Sequence, residues 1–402
     1  MINITENLFA VGVKDPELRV FDIIMATEFG TTYNSYLLKN KSNEGKNEFV
    51  LFETVKNEFF DKFLAHLKEN AIDINDIKYL VVDHTEPDHS GSISRLLELL
   101  PDITVISSVI AKKYLEAITN TTFRHIVAKD DSSLKLGSHT LTFKSVPQLH
   151  WPDTIYTYIE EDKALITCDS FGAHYSSDKN FYSELTEDEI ADFNQAYKYY
   201  YDMIMGPFKP FVLKALDKIA NLDIKIVAPG HGLIFNDKNF EYYKELYRKW
   251  SSEIISKDID VLIGYVSAYG YTKKIANKIE QVLKEGNLKV VLVELGTIDI
   301  FEFMNQVQRS RALLIGSPTI LADTLPPVWQ VLSNLNSIIN KGLIVGTFGS
   351  YGWSGEATKY ICERFNQLKL KQPAPPLSIN FNPSDVDMEH TVTFAKAILE
   401  SL

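Results

Sequence analysis

The chain has 402 residues, of which 45% are hydrophobic and 23% charged, and a formal net charge of −12 at pH 7. A chain of this length and ordinary globular composition favours two domains over a single core. The acidity argues against nucleic acid or an anionic membrane surface as the main partner, although it would suit a basic docking partner.

The cysteines and the N-terminal residues bear on the cellular compartment. Cys168 and Cys362 form no C-x-x-C pair, so they predict neither a thiolate metal site nor a disulfide framework. The start, MINITENLFAVGVKD, has no basic segment followed by an apolar one, and no apolar run approaches the ~20 residues that span a bilayer. We therefore expect a soluble, cytoplasmic protein with no membrane partner.

The first part of the chain mixes short apolar runs with amphipathic stretches, which predicts a sandwich of mixed sheets with helices outside. The predicted strands are LFAVGV (8–13), NSYLL (34–38), EFVLFET (48–54), KYLVVD (78–83), ITVISS (103–108), HTLTFKSVP (139–147), TIYTYIE (154–160), ALITCDS (164–170) and IKIVAPG (224–230). Helical spacing is predicted over 57–70, over the aromatic stretch 186–220 and over the polar segment 237–255.

The pattern changes near Lys257–Asp258, where five short apolar runs begin to alternate with helical stretches. These runs are DVLIGYV (260–266), KVVLVEL (289–295), ALLIGSP (312–318), GLIVGTF (342–348) and LSINFN (377–382). Such alternation is typical of a doubly wound, five-stranded parallel sheet. We place the domain boundary here, giving domains 1–256 and 257–402.

The segment HTEPDH (84–89) puts two histidines and two carboxylates directly after the predicted strand 78–83. In an extended turn, His84 and Glu86 share one side, whereas Asp88 and His89 can point to an adjacent position. This arrangement suggests two metal ions. The alternative is a structural turn in which Asp88 caps the following helix.

Other strand ends of the same domain carry further candidate ligands. His150 stands in LHWPDT, Asp169 in ITCDSFG and His231 in APGHG. Each of these residues alone could be structural. Together with HTEPDH they supply four imidazoles and three carboxylates at strand ends, which predicts a metal centre.

The pattern resembles the metallo-β-lactamase fold, whose zinc hydrolases carry H-x-H-x-D-H followed by a distant His, Asp and His. This sequence departs from that motif at Glu86, and a carboxylate in place of an imidazole suits iron rather than zinc. H-x-E-x-D-H followed by His150, Asp169 and His231 resembles the flavodiiron proteins, in which a lactamase-like αββα domain precedes a flavodoxin-like one. The resemblance extends over the whole chain.

The resemblance implies a role for each candidate ligand. One iron would be bound by His84, Glu86 and His150, the other by Asp88, His89 and His231, and Asp169 would bridge the two. Each histidine would need an acceptor for its other ring nitrogen.

The second domain offers hydroxyls and backbone N–H groups where its first strand meets a helix. The residues are Ser267, Tyr269, Gly270, Tyr271 and Thr272. No G-K-[ST] or G-x-G-x-x-G motif is present, so a monophosphate ligand fits better than a nucleoside triphosphate or a dinucleotide. Taken alone, the motif could equally be a helix cap.

Two later loops strengthen the prediction of a ligand site, because ligands of doubly wound sheets bind beyond the carboxyl ends of the strands. The predicted contacts are Ser317, Pro318, Thr319 and Ile320 in the first loop, and Ser350, Tyr351, Gly352, Trp353 and Ser354 in the second. Aromatic side chains in a glycine-rich loop can cover a flat ring, although Trp353 could instead be a core residue. The combination resembles flavodoxin, which implies FMN; Leu321–Ala322 is less polar than in many relatives.

Two further residues are weaker candidates near the metals. His174 could contact the metal ligands, or it could lie on the surface. Tyr199, in the run AYKYYYD (196–202), could place a phenol near the metals, or it could belong to a packed helix face.

The family resemblance implies reduction of O2 to water, reductive coupling of NO to N2O, or both, with FMN passing electrons to two irons per chain. With no C-x-x-C pairs for a rubredoxin domain, the electrons would come from an external donor such as rubredoxin or a reduced deazaflavin coenzyme. The resemblance further implies a head-to-tail homodimer, possibly a dimer of dimers. A zinc-dependent hydrolase with a flavodoxin-like regulatory domain remains as the alternative, whereas the full set of seven candidate ligands contradicts a non-enzymatic flavin sensor or electron carrier.

Overall fold

The computed structural model describes residues 2–23, 25–253 and 256–402, and it divides into two compact units, Met1–Glu253 and Ile254–Leu402. The domain assignment 1–256 and 257–402 stays a prediction.

The strands of the first unit form two large sheets and two small ribbons. The strands are β1 (Ile2–Asn3), β2 (Leu8–Ala10), β3 (Val13–Asp15), β4 (Val20–Phe21), β5 (Met25–Ala26), β6 (Thr31–Tyr33), β7 (Tyr36–Lys41), β8 (Asn47–Phe52), β9 (Ile77–Val82), β10 (Thr104–Ser107), β11 (Arg124–Val127), β12 (Ser133–Leu136), β13 (His139–Ser145), β14 (Ile155–Ile159), β15 (Ala164–Cys168), β16 (Ile226–Pro229) and β17 (Phe235–Asn236). One sheet has the order β1-β2-β7-β8-β9-β10-β11 and the other β12-β13-β14-β15-β16-β17, while β3 pairs with β6 and β4 with β5.

The helices of the first unit lie mainly after its strands. They are α1 (Phe60–Glu69), α2 (Pro87–Ser90), α3 (Ile93–Leu99), α4 (Val109–Thr119), α5 (Glu187–Tyr200), α6 (Lys209–Ile219) and α7 (Asp237–Ser252), with 3₁₀ turns at Asn57–Phe59, Ile74–Asp76, Tyr182–Glu184 and Gly206–Phe208. The aromatic stretch predicted as one helix is two, because a π-helical segment, Tyr201–Met205, and a turn containing Pro207 separate α5 from α6. The predicted segment 237–255 is helical through Ser252, and its last two residues lie outside the described part of the chain.

The two large sheets face each other across a shared apolar core. Leu38, Val50 and Val81 of one sheet join Phe143 and Ile166 of the other in a single buried cluster. Their opposite faces pack against the helices in a second cluster, to which α1, α3, α5, α6 and α7 all contribute. This is the αββα sandwich that the sequence predicts.

The second unit is a five-stranded parallel sheet with helices on both faces. Its elements are β18 (Ile259–Tyr265), α8 (Tyr271–Glu285), β19 (Val290–Glu294), α9 (Ile300–Gln308), β20 (Ser310–Gly316), α10 (Pro326–Asn334), β21 (Ile344–Tyr351), α11 (Glu356–Gln367), β22 (Leu377–Asn380) and α12 (Asp385–Ser401). The strand order β19-β18-β20-β21-β22 is that of flavodoxin-like sheets. One buried cluster holds α8 and α12 against the sheet, and another holds α9, α10 and α11.

The long buried runs of β18 and β20 arise because both faces of the sheet are covered. Residues Val261–Tyr265 and Ala312–Gly316 are buried throughout, without the alternation of a half-exposed strand. Among the described residues, no helix is long and apolar enough to cross a membrane.

Candidate functional site

The predicted metal ligands come from strand ends of both sheets of the first unit. His84 follows β9 in the first sheet, whereas Asp169 and His231 follow the neighbouring parallel strands β15 and β16 in the second. His150 stands in the connection from β13 to β14. Because the two sheets face each other, these ends converge, and the structure brings all seven predicted ligands together.

Asp169 lies at the centre of the cluster and presents its two oxygens to different groups. Oδ2 is 3.3 Å from Nε2 of His84 and 3.3 Å from Nε2 of His150. Oδ1 is 2.9 Å from Nε2 of His89 and 3.6 Å from Nε2 of His231. One carboxylate therefore faces two separate sets of imidazoles.

The remaining two carboxylates complete these sets. Glu86 Oε2 lies 3.2 Å from Nε2 of His84 and 2.8 Å from Nε2 of His150. Asp88 Oδ2 lies 2.9 Å from Nε2 of His231 and 3.4 Å from Nε2 of His89. The resulting trios match those implied by the family resemblance.

The short helix α2 explains how adjacent residues serve different sets. Glu86 is its N-cap residue and makes no side-chain cap bond, whereas Asp88 and His89 lie within its single turn and project to the other side. The alternative that Asp88 caps this helix is wrong: the N-cap residue is Glu86, and neither carboxylate oxygen of Asp88 accepts a backbone N–H.

The charge balance of the cluster calls for cations. Burial alone would lower the pKa of His84 and His89, but the surrounding carboxylates outweigh it and raise each pKa to about 10. The same competition raises the pKa of His150 to about 9. Burial would raise the pKa of Glu86, but its bonds to His150 and His84 lower it.

The donor set fits metal ions. Both oxygens of Asp88 and Oδ2 of Asp169 are buried and make no hydrogen bond of good geometry despite the nearby imidazoles, which is costly unless a cation compensates. All of the imidazoles present Nε2 to the same space. A donor set of this kind, which is rich in carboxylate oxygens, suits iron better than an all-nitrogen or thiolate set does.

The close packing of Gly230 against the His89 ring leaves no room for a larger residue at position 230. Gly230 directly precedes His231, and a Cβ at this position would lie 2.6 Å from Cε1 of His89. Nδ1 of His231 donates to the carbonyl oxygen of Thr32 at 2.5 Å, which fixes Nε2 toward Asp88.

Of the two weaker candidates, only His174 lies against a predicted ligand. Its ring centroid is 5.1 Å from that of His231, its Nδ1 is 2.9 Å from Oγ1 of Thr31, and burial holds its pKa well below the usual value. Tyr199 is 37% exposed and lines a cavity of about 250 Å³ with His174. Two other tyrosines lie beside the cluster: the ring centroids of Tyr200 and Tyr33 are 6.0 Å and 6.1 Å from that of His231.

Sequence reasoning missed other residues near the cluster. Burial and then the neighbouring Glu86 raise the pKa of Asp22 to about 6. Glu53 and Asp153 are buried near the ligand histidines, and Asp153 stands in the same HWPDT segment as His150. The available signals were an acid three residues after His150 for Asp153 and an acid at the end of the predicted strand 48–54 for Glu53; nothing in the sequence marked Asp22.

In the second unit, most of the predicted flavin contacts line one cavity of about 280 Å³. These are Tyr269, Tyr271, Pro318, Thr319, Ile320, Ser350, Tyr351, Gly352, Trp353 and Ser354. The loops after β18, β20 and β21 supply them, at the carboxyl ends of the parallel strands. Trp353 is 95% exposed, so the alternative that it is a core residue is wrong.

Four predicted contacts do not line this cavity. Ser267 and Gly270 lie before α8, and Oγ of Ser267 accepts the backbone N–H of Lys273 at 3.2 Å. Thr272 is buried, with Oγ1 2.9 Å from Oγ of Ser350. Ser317 is buried and donates to the carbonyl oxygen of Pro318. The first three remain at a helix N-terminus, where an anion is favoured.

Three residues outside the predicted set line the cavity. Leu321 and Ala322 both have positive φ, 53° and 58°, which forces their loop away from extended geometry. Phe381, just after β22, packs so closely on Gly352 that a Cβ there would lie 2.9 Å from its ring. The sequence gives Phe381 no motif of its own.

Comparison with known proteins supports both units. Residues 31–232 match the family model described as "ODP family beta lactamase", and residues 263–393 match the model of flavodoxin. A flavo-diiron protein of Clostridium acetobutylicum is 38% identical, over 100% of this chain and 99% of that protein. A protein named nitric oxide reductase from Moorella thermoacetica is 33% identical, over 99% of this chain and 98% of that protein.

A solved structure is similar over nearly the whole chain. The rubredoxin:oxygen oxidoreductase of Desulfovibrio gigas aligns with a TM-score of 0.68 and 28% identity, covering 99% of this chain and 98% of the other.

These similarities and the ligand cluster define a two-domain oxidoreductase with a lactamase-like and a flavodoxin-like unit. The chain belongs to the flavodiiron protein family, and membership implies FMN and a diiron site. The zinc-hydrolase alternative is not favoured.

Proposed function

We propose that the protein reduces O2 to water, NO to N2O, or both, with electrons relayed from an external donor through FMN to two irons. The observation that carries the proposal is the placement of Asp169, whose two oxygens face two ligand trios that each contain a carboxylate. Such a set can hold two cations close enough to share one small substrate.

In this proposal His84, Glu86 and His150 would hold one iron, Asp88, His89 and His231 would hold the other, and Asp169 would contribute to both. When bound, the irons supply reversible one-electron chemistry at the gas, and FMN supplies the electrons. Domain 1–256 would carry the irons and domain 257–402 the flavin.

The residues around the site attract cations and keep the candidate ligands oriented toward them. Asp88 and Asp169 are buried and Glu86 is largely buried, so their attraction to cations is stronger than it would be in water. The Thr32 carbonyl orients His231 from behind, and Gly230 lets His89 approach. Little rearrangement is then needed when metal binds, which favours a preorganised site.

For the flavin, we propose that the N-terminus of α8 holds the phosphate. Ser267, Gly270 and Thr272 precede or open this helix of 15 residues. The ring would lie in the cavity between the loops 318–320 and 350–354, against Trp353 and Tyr351. A flat aromatic ligand matches the shape of a cavity lined by aromatic residues.

The partners follow from the same proposal. We infer an external donor of the rubredoxin or reduced deazaflavin type, a head-to-tail homodimer in which each FMN serves the irons of the other chain, and a cytoplasmic location. A dimer of dimers is compatible with this. The relative named as rubredoxin:oxygen oxidoreductase supports the donor class, and the relative named nitric oxide reductase supports NO as a substrate.

Anaerobic assays with O2 and with NO, each with chemically reduced donor, test the proposal. We expect about two irons and one FMN per chain, and consumption of at least one gas. Zinc in place of iron, together with ester or β-lactam hydrolysis, would support the hydrolase instead. Protein that carries FMN but no metal and consumes neither gas would be an electron carrier or sensor.

A further inference from the structure

Two buried carboxylates outside the ligand set, Glu53 and Asp153, are held in the same way. The backbone N–H groups on either side of His84 each donate to one of them. Asp83 N–H bonds Oε1 of Glu53 at 2.6 Å, and Thr85 N–H bonds Oδ2 of Asp153 at 2.9 Å. Each carboxylate is 1% exposed. In both cases one oxygen is fixed and the other is left over.

The second oxygen of Asp153 lies opposite a ring nitrogen of a proposed ligand. Oδ1 of Asp153 is 3.6 Å from Nδ1 of His84, a few tenths of an ångström beyond hydrogen-bond length. Both atoms are buried and have no other partner among the described residues. Because a buried N–H is nearly always paired, each is the natural partner of the other.

Glu53 lies near His89 in a similar but looser arrangement, within 4.8 Å rather than at the 3.6 Å that separates Asp153 from His84. Oε2 of Glu53 and Nδ1 of His89 are also buried without hydrogen-bond partners in the described part of the chain. A carboxylate oxygen of Glu53, a ring nitrogen of His89 and Sγ of Cys168 lie within 4.8 Å of one another. The Nε2 atom of His89 faces the opposite way, toward Asp169 and Asp88.

We propose that Glu53 and Asp153 are positioning residues that accept Nδ1–H of His89 and His84, so that Nε2 of each histidine is fixed toward a metal. The inference rests on the metal assignment proposed above. It identifies, for one histidine in each trio, the group that accepts a hydrogen bond from the ring nitrogen facing away from the metal. A carboxylate behind an imidazole selects its tautomer and makes the coordinating nitrogen a stronger donor.

The hydrogen bond of Thr85 adds to this arrangement at Asp153. Oγ1 of Thr85 donates to Oδ2 of Asp153 at 2.7 Å, so the carboxylate is held by two bonds from one residue. Thr85 lies between the ligands His84 and Glu86. The motif HTEPDH therefore supplies ligands and, through its second residue, also fixes the carboxylate that orients the first ligand.

The test uses the near-isosteric variants Asp153→Asn and Glu53→Gln in the full-length protein. Fe(II) dissociation constants are measured by chelator competition, and the midpoint potentials of the iron pair by EPR-monitored titration. We expect roughly a 10–100-fold weaker Fe(II) affinity in each variant. We also expect higher midpoint potentials, because loss of the carboxylate's charge disfavours the ferric state.

The matched control is Asp162→Asn. Asp162 is also a buried carboxylate facing a histidine, with Oδ2 3.4 Å from Nε2 of His139, but His139 is not a proposed ligand. This variant should leave iron affinity and potential unchanged. A purely structural role would let all three variants lower the melting temperature without a shift in potential, and that result overturns the inference.

The variant Thr85→Val covers the case in which Asp153→Asn does not fold. It removes one bond to Asp153 but keeps its charge, so we expect a smaller loss of iron affinity; native affinity in this variant overturns the role of Asp153. A native protein that retains no iron contradicts the proposed function itself. If the native protein binds two irons and the variants show the same iron affinity and midpoint potential as the native protein, only the positioning roles are overturned.

Discussion

At the metal cluster, His84 and His89 are completely buried, and a methyl group added at Gly230 would collide with the His89 ring. At the flavin cavity, Trp353 is 95% and Tyr269 is 85% exposed, and the nearest obstacle to a methyl group at Gly352 is the flexible ring of Phe381. The first site is fixed by packing and the second is shaped by loops. A preorganised set of ligands suits two small ions, whereas an open cavity can adjust around a large planar ligand.

The strongest way to break the enclosed site is Asp169→Ala. It removes the residue that faces both trios and leaves two cations with less negative charge between them, so their repulsion increases. We expect loss of at least one of the two irons per chain and no gas reduction, measured by metal analysis and gas uptake. FMN content, as the internal control, should stay native; normal binding of both irons would contradict the bridging role.

A second substitution, Glu86→His, tests whether the carboxylate selects iron. It restores the zinc-hydrolase motif in a site that is otherwise unchanged. We expect lower iron retention, a higher zinc-to-iron ratio after growth with both metals, and loss of gas reduction with the fold intact by circular dichroism. Full iron content with full activity would show that Glu86 is not a ligand.

At the open site, Trp353→Ala should weaken FMN binding and leave the iron content unchanged. Loss of stacking on one ring is worth about 1–3 kcal/mol, which corresponds to roughly a tenfold to hundredfold change in affinity. Fluorescence titration of the apoprotein with FMN measures the change. Trp329→Ala, a substitution of another partly exposed tryptophan of the same unit that does not line the cavity, is the control. Equal dissociation constants for Trp353→Ala and the native protein would remove Trp353 from the site.

The smallest effect is expected for Gly352→Ala. The added methyl group meets only the Phe381 ring, which is 54% exposed and can turn away. We expect less than about a tenfold change in FMN affinity, because no backbone atom has to move. A loss as large as that of Trp353→Ala would show that the cavity is as rigid as the metal cluster.

The difference between the packed metal cluster and the loop-lined flavin cavity also explains which residues could be predicted from the sequence. The seven proposed ligands follow strands with strong apolar patterns, so their positions could be inferred from the ends of those strands. Glu53 directly follows β8 and Asp153 stands three residues after His150, but the sequence alone does not show that either carboxylate is buried beside a ligand candidate. Asp22 lies in a turn with positive φ, a conformation that its local sequence does not demand.

In the second unit, the sequence predicted the loops better than the individual contacts. The parallel sheet places the ends of β18, β20 and β21 beside one another, so the three loops were expected to meet. Phe381 was missed because its place in the cavity depends on its backbone, φ 53°, and on the absence of a side chain at Gly352. The break in the aromatic stretch was missed although Gly206–Pro207 marks a turn in the sequence.

The order of the proposed metal-binding residues along the chain has a consequence for biosynthesis. His84 and His231 come from opposite ends of a long stretch, and the trio of Asp88, His89 and His231 cannot close until residue 231 has left the ribosome. All seven residues nevertheless precede Ile259, the first residue of the flavodoxin-like sheet. Maturation can therefore proceed in sequence on the growing polypeptide, with iron acquired before the flavin pocket has been translated.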